Sequence, residues 1–392
     1  MAESWSTASR ALMAGNFAIG AGVMVVAASL NDLSHALEVS PAVAGQLITA
    51  GAVAMGLGAP LLAAALAGWD RRRLLTLALV WYALGHAAAA LMPNFAALLP
   101  VRVLGVLGAA VFTPQAAAAI SVLAPAERRG RAITTVFLGW SLASVLGMPL
   151  NGFIAETLGW HWAFGTVALL SAGAALVVWR SVPDGVKPPA LSLAHWRQAL
   201  THPVLMGMVL VTALSSAGQF TLFSYFAPYY RQALGAGPTQ VSLLFFWFGA
   251  FGLLGNVLLS RWVDRLGAAR CVALSISLMA LSLLLWPLTG QNALLGGAAG
   301  MAVVLVPWAL GCFSCNSAQQ ARLSQSAPAF APALLALNTS AIYAGQAAGA
   351  AGGGALLAAG GFGPLPWAGL AWMTAALALS TWAARQMKVA HA

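Results

Sequence analysis

The stretch "LAGWDRRRLL", residues 66–75, sets Asp70, Arg71, Arg72 and Arg73 side by side in a chain that is only 7% charged. The residues around it are almost all apolar. Of the 392 residues, 61% are hydrophobic, and the mean hydropathy is +0.85. A water-soluble domain is about one quarter charged. This chain has too few polar side chains to cover a surface facing water, so lipid must solvate much of it. Helices and closed barrels are the two forms that satisfy every backbone N–H and C=O in lipid. Barrel strands alternate apolar and polar residues over about ten positions. Here the apolar runs are unbroken and about 18 residues or longer, long enough for a helix to cross the hydrocarbon. The sequence therefore specifies an all-α membrane protein.

Twelve such runs can be drawn, near 11–30, 42–66, 74–92, 97–123, 132–155, 161–180, 203–230, 240–262, 271–288, 294–320, 333–357 and 367–385. Short connections join them, several marked by Pro or Gly, such as "APAERRGR" and "LGAGPTQ". The longest, 181–202, divides the chain into an N-terminal six-helix bundle (1–180) and a C-terminal one (203–392). The first run is too long for a signal peptide and reads as an uncleaved span. With the N-terminus inside, 16 of the 18 Lys and Arg residues fall in cytoplasmic connections or termini, and Arg102 and Arg231 fall outside that set. Basic residues hold loops on the cytoplasmic side, so the split expects both termini cytoplasmic in an inner membrane. It also accounts for the net charge of +10 without a nucleic-acid partner. Trp69, Trp179, Trp262 and Trp382 near inner span ends, and Trp160, Trp162 and Trp367 near outer ones, suit interface anchors.

Orientation explains the arginines of the opening stretch but not its acid, because acids contribute little to orientation. The pattern also recurs. "RWVDRLGAAR", 261–270, follows the second span of the second half, and Asp70 and Asp264 stand 194 residues apart, close to half of 392. Such a spacing signals an internal repeat.

With these loops, "PVRVLGVLGAA" (100–110) and "GWSLASVLGMPLNGF" (139–153), the chain resembles the major facilitator superfamily over nearly its whole length. Within it the chain is similar to the drug:proton antiporter branch, and to arabinose, sugar-efflux-like and multidrug-efflux-like transporters. The match is partial in places. Arg73 stands where the loop motif carries a glycine that the second copy keeps as Gly267, and Met148 precedes Pro149 where the branch has Gly-Pro. The resemblance implies two pseudosymmetric six-helix bundles that rock about a central cavity. It also implies a cytoplasmic gate at Asp70, Arg71, Asp264 and Arg265, a buried arginine at Arg102, and a bend at Pro149, with Pro114 bending the fourth span.

Polar residues at mid-depth in the spans that line or flank such a cavity are candidate substrate contacts. They are Asn16, Gln115, Ser215, Gln219, Tyr225, Asn316, Gln319, Asn338, Tyr343 and Gln346. The alternative for each is a hydrogen bond that holds two helices together. None of the eight acids lies at mid-membrane. An organic cation would find no buried counter-charge, so neutral, amphipathic or anionic substrates are expected. Asp32 with nearby Arg102 is the candidate for proton coupling, and His86 reads as structural. Glycine-rich stretches such as "GQAAGAAGGG" (345–354) allow close helix approach. Cys312 and Cys315 form a lone CxxC without a second ligand pair, so no metal and no cofactor is expected.

The expectation is a proton-coupled exporter of small organic molecules, acting as a monomer in the lipid bilayer. An importer or facilitator without proton coupling is the alternative. A membrane-embedded enzyme needs converging catalytic groups, which eight scattered acids do not offer. A sensor needs a soluble domain or long tail, and none is evident in the sequence.

Overall fold

A computed structural model describes residues 2–66, 68–125, 128–187, 197–198, 200–290, 295–327 and 330–391. Glu127 and residues 188–196 and 199 of the 181–202 connection lie outside this set, as does the side chain of Asp264. The described residues form helices and no strand. In the first part of the chain these are α1 (Ala2–Ala28), α2 (Leu30–Ala36), α3 (Pro41–Ala44), α4 (Gln46–Ala65), α5 (Arg71–Ala89), α6 (Phe95–Gly105), α7 (Leu107–Leu123), α8 (Arg129–Leu142), α9 (Met148–Leu158) and α10 (Trp160–Ser181). The second part holds α11 (Pro203–Phe223), α12 (Phe226–Pro228), α13 (Pro238–Leu266), α14 (Ala268–Leu285), α15 (Gly297–Ser326), α16 (Ala331–Gly360) and α17 (Pro364–His391).

Among the described residues, nine helical segments are long and apolar enough to cross a membrane. Three further expected spans form helices that fall outside those nine. The first, α5, opens with three arginines, α16 is rich in Gly and Ala, and α17 carries three Trp among its alanines. The helix termini follow local chemistry. Asp70 caps α5 by accepting the Arg73 N–H at 3.1 Å, and Asn94 caps α6 through Ala97 N–H at 2.9 Å. Such a cap satisfies one of the orphan donors of a first turn.

The two copies of the charged loop differ in structure. Asp70 precedes its following helix as the cap, whereas Asp264 lies within α13, and the chain turns at Gly267 with φ +82°. Only glycine adopts that conformation without strain. Among its described residues the first copy has no such turn, and it carries Arg73 in the first turn of α5.

Helix α1 packs on α8 and α10, α5 on α10 and α7, and α4 on α7. Later in the chain, α11 packs on α16 and α17, and α15 on α13 and α14. The main pairings that join the first part to the second are α4 with α16 and α13 with α9 and the turn before it. The fifth expected span widens into a π-helical turn, Ala143–Gly147, immediately before Met148 and Pro149. Pro149 lacks an N–H to donate back along the helix, and a π turn is one recognised site of bending. Gly249 of α13 lies on this turn. A Cβ there would come within 2.5 Å of Ser144 O and Val145 Cα.

The glycine stretch of α16 behaves similarly within the second part. A Cβ on Gly345, Gly349 or Gly353 would meet the carbonyls of Ala213, Ala217 or Thr221 at 2.1, 2.3 or 2.5 Å. Their spacing of four places all three on one stripe against α11.

Candidate functional site

In the first part, Asn16 joins three helices. Its Oδ1 accepts from Thr113 Oγ1 at 2.8 Å, and its Nδ2 donates to Val136 O at 3.1 Å. Trp140 Nε1 also donates to Thr113 Oγ1 at 3.4 Å. Gln115, two residues beyond Thr113 on α7, is buried.

In the second part, α11 is the shared anchor. Thr212 Oγ1 donates to Asn338 Oδ1 at 2.5 Å, and Gln319 Nε2 donates to Met208 O one turn below. Ser215 bonds back to Thr212 O at 3.1 Å, and Gln219 Nε2 reaches Met279 Sδ at 3.3 Å and Cys312 O at 3.4 Å. Asn316 Oδ1, Gln319 Oε1 and Asn338 Nδ2 are buried polar atoms with no protein partner. An unsatisfied polar atom costs about 1–3 kcal/mol, so these three have capacity left for a ligand. Gln346 is buried on α16. Tyr343 and Tyr225 instead lie where the two parts of the chain meet. A Cβ on Gly56 of α4 would stand 3.4 Å from Tyr343 Cβ, and one on Gly45 would lie 2.4 Å from the Tyr225 hydroxyl.

Asp32 and Arg102 are held apart. Asp32 Oδ2 accepts the Trp160 N–H at the start of α10. Half-burial raises its pKa above the usual carboxylate value, while the Trp160 N–H and the nearby His161 and His35 oppose that rise. Arg102 is 4% exposed and bonds to His86 Nε2 at 2.9 Å and to Gly22 O at 2.9 Å. His86, expected to be structural, is thus the ring that holds this buried cation. Its Nδ1 lies 2.9 Å from Tyr82 O.

Arg322, counted among the loop cations, is 3% exposed and donates to Ser380 Oγ and O at 2.9 and 3.0 Å. Arg71 is also buried. Its Nη1 donates to Trp69 O at 2.7 Å, and its backbone N–H donates to Val186 O at 3.0 Å. Arg72 Nε donates to Trp179 O at 2.7 Å, and its guanidinium lies 4.2 Å above the Trp179 ring centroid. The charged loop in this conformation therefore ties α5 to the end of α10. Asp70 Oδ2 is buried without a partner.

Sequence reasoning missed one pair. Arg231 Nε lies 3.7 Å from Glu156 Oε2, joining the end of α9 to the chain after α12. The available signal was an acid ending the fifth span and an arginine ending the seventh, in a chain with eight acids. An apolar groove of 410 Å³ between α1 and α10, lined by Phe17, Leu169 and Val177 among others, holds none of the expected contacts. The three cysteines are free and buried, and no group of three metal-ligating side chains occurs among the described residues.

Nine long apolar helical segments among the described residues, with buried polar atoms that lack protein partners, define a polytopic membrane protein with polar groups available inside its bundle. The sequence profile of the Major Facilitator Superfamily matches residues 12–330, and the chain belongs to that family. It is a transporter, not an enzyme. It is 28% identical over 373 residues to the uncharacterized MFS-type transporter YbcL of Bacillus subtilis (strain 168), covering 94% of this chain and 93% of that protein. A probable sugar efflux transporter of Helicobacter pylori (strain ATCC 700392 / 26695) is 32% identical over 237 residues, 60% of this chain and 61% of its own. A chloramphenicol resistance protein of Streptomyces lividans is 32% identical over 252 residues, 63% and 64% of the two chains. The crystal structure of a D-xylose-proton symporter superposes with a TM-score of 0.78 at 17% identity, covering 96% of this chain and 97% of that one, a likeness of fold.

Proposed function

We propose that this transporter alternates access across a bacterial cytoplasmic membrane and exports small neutral, amphipathic or anionic organic molecules in exchange for protons. The observation that carries the substrate class is the distribution of charge. All eight acids lie at or beyond span ends, while Arg102 and Arg322 are buried among carbonyl, hydroxyl and imidazole partners. A buried cation in lipid favours a partner of opposite charge or a dipole, and a cationic substrate would gain neither. The printed names of the sugar-efflux and chloramphenicol-resistance relatives agree with this class.

In this reading, twelve spans form bundles at 1–180 and 203–392 joined by a cytoplasmic connection, 181–202, with both termini cytoplasmic and the monomer as the working unit. Asn16, Gln115, Ser215, Gln219, Asn316, Gln319, Asn338, Tyr343, Gln346 and Tyr225 contact substrate as the bundles rock. Asp70, Arg71, Asp264 and Arg265 close the cytoplasmic side in the opposite state. There the buried Asp70 Oδ2 would gain a partner. Asp32 and Arg102 serve proton coupling separately rather than as a pair. A facilitator or importer without proton coupling is the second reading, favoured by the lack of an acid at mid-membrane.

Counterflow of labelled sugars and of chloramphenicol in proteoliposomes, with and without a pH gradient, tests the proposal. Accumulation driven by the gradient supports exchange with protons. Equilibration indifferent to the gradient supports the second reading.

A further inference from the structure

The chain is broken where it leaves α11. That helix ends at Phe223, Tyr225 takes φ −120° and ψ 16°, α12 lasts one turn, and Tyr229–Ala233 is a π turn. Pro228 adds a missing N–H within the same stretch. A segment with so few regular helical bonds can move as a unit on its two ends.

In this conformation it is held from the first part of the chain. Asn31 Nδ2 donates to Ala227 O at 2.9 Å and to Glu156 Oε1 at 3.4 Å. The other oxygen of Glu156 faces Arg231 Nε at 3.7 Å. The Glu156 side chain is 8% exposed and that of Arg231 38%. Arg231 Nη1 also donates to Ala236 O at 2.9 Å, which fixes the guanidinium's direction.

Tyr225 is seated beside this group. Its hydroxyl donates to Ala350 O at 2.7 Å, and a Cβ on either Gly45 or Gly354 would come within 2.4 or 2.5 Å of that oxygen. Gly45 precedes α4 and Gly354 lies in α16, so the two glycines that make room for the ring end belong to opposite parts of the chain.

We infer that Asn31, Glu156 and Arg231 form a latch that holds the two halves together at the end remote from the termini, and that the 224–233 segment is the element it releases. The pair must come apart before that end can open, and Tyr225 must leave its glycine seat with it. Partly exposed ion pairs contribute little each, which suits a contact that forms and breaks in every cycle. The inference rests on the reading of the chain as an alternating-access carrier, but its test needs neither substrate nor gradient.

The experiment is a double electron–electron resonance measurement on the full-length protein in nanodiscs, spin-labelled at Ala36→Cys and Thr239→Cys, two exposed positions on either side of the latch. The three native cysteines are buried. Glu156→Gln and Arg231→Gln are each expected to raise the long-distance population roughly two- to fivefold. The exchanged pair Glu156→Arg with Arg231→Glu is expected to restore the short distance, and Asn31→Ala to give a smaller shift in the direction of the single charge removals. Distributions that do not change on removing either charge overturn the latch, as does an exchanged pair that stays as open as the single variants. Failed counterflow with an intact charge-dependent distance shift would instead count against the transport reading alone.

Discussion

The two ends of the bundle are held by different kinds of contact. At the end remote from the termini, side chains from one half bond across to the other, through Asn31 to Ala227 O and Glu156 to Arg231. Among the described residues at the end that carries the termini, the arginine contacts tie each half to itself. Arg72 reaches Trp179, the Arg71 backbone reaches Val186, and Arg322 reaches Ser380. The same chemistry, an arginine at a helix end, thus serves as a clasp between halves in one place and as reinforcement within a half in the other. A carrier that pivots needs rigid halves and few, breakable bonds between them. The contrast also assigns expected effects: changes within a half should cost stability, and changes across the seam should move populations.

The largest effect is expected within a half. Gly349→Val would drive a β-branched side chain into the Ala217 carbonyl, 2.3 Å from the Cβ position, at a contact between two buried backbones. Overpacking of this kind costs about 1–3 kcal/mol or more, so the variant should unfold at clearly lower temperature, or fail to accumulate, in a thermal-stability assay in detergent. Ser380→Ala is next. It removes the hydroxyl partner of a buried guanidinium and should cost about 1–3 kcal/mol, with no change in the Ala36–Thr239 distance. A shift in that distance would show that the termini end is coupled to the clasp through Arg322.

Asp70 separates cap from gate. Asp70→Ala should cost about 1 kcal/mol through loss of the α5 cap, whereas Asp70→Asn keeps an acceptor for the Arg73 N–H and should leave the melting temperature nearly unchanged. A lowered exchange rate in Asp70→Asn at unchanged melting temperature supports the gate, and an unchanged rate removes it.

The smallest effect concerns Asp32, whose carboxyl is raised by burial above 3.8 despite the opposing Trp160 N–H and histidines. Its folded-state pKa exceeds the unfolded one, so the folded state binds the proton more tightly. Stability contributed by this group therefore falls as pH rises from 3.8 through the raised value. Asp32→Asn should flatten that slope, measured as the melting-temperature difference from the parent protein across the same pH interval.

Much of the fold was legible because hydropathy reports lipid contact directly. Runs of apolar residues gave the helices and their order, and the spacing of glycines in 345–354 announced a close helix approach, whose partner, α11, only the structure reveals. Hydropathy is silent on helix regularity. The breaks at Val106, at Ala143–Gly147 and after Phe223 all fall inside apolar runs, since lipid solvates a π turn as well as an α turn when neighbours satisfy its carbonyls. The candidate amides were chosen by residue type, which does not tell their partners. Asn16 bonds to Thr113 and Asn338 to Thr212, both on distant segments. The clasp escaped for a related reason. A search for acids at mid-membrane passes over Glu156, whose importance comes from an arginine that the chain delivers only after folding. Arg322 misled in the opposite sense, since a charge near a span end reads as solvated until a neighbouring helix covers it.

The most direct test compares both ends in one sample, using the Ala36–Thr239 label pair and a second pair at Ala65→Cys and Leu266→Cys near the termini, in the parent protein and in Glu156→Gln. Reciprocal motion about a pivot requires the remote distance to lengthen while the termini-side distance shortens. If the remote pair lengthens and the other stays fixed or lengthens with it, the two halves do not pivot about the seam described.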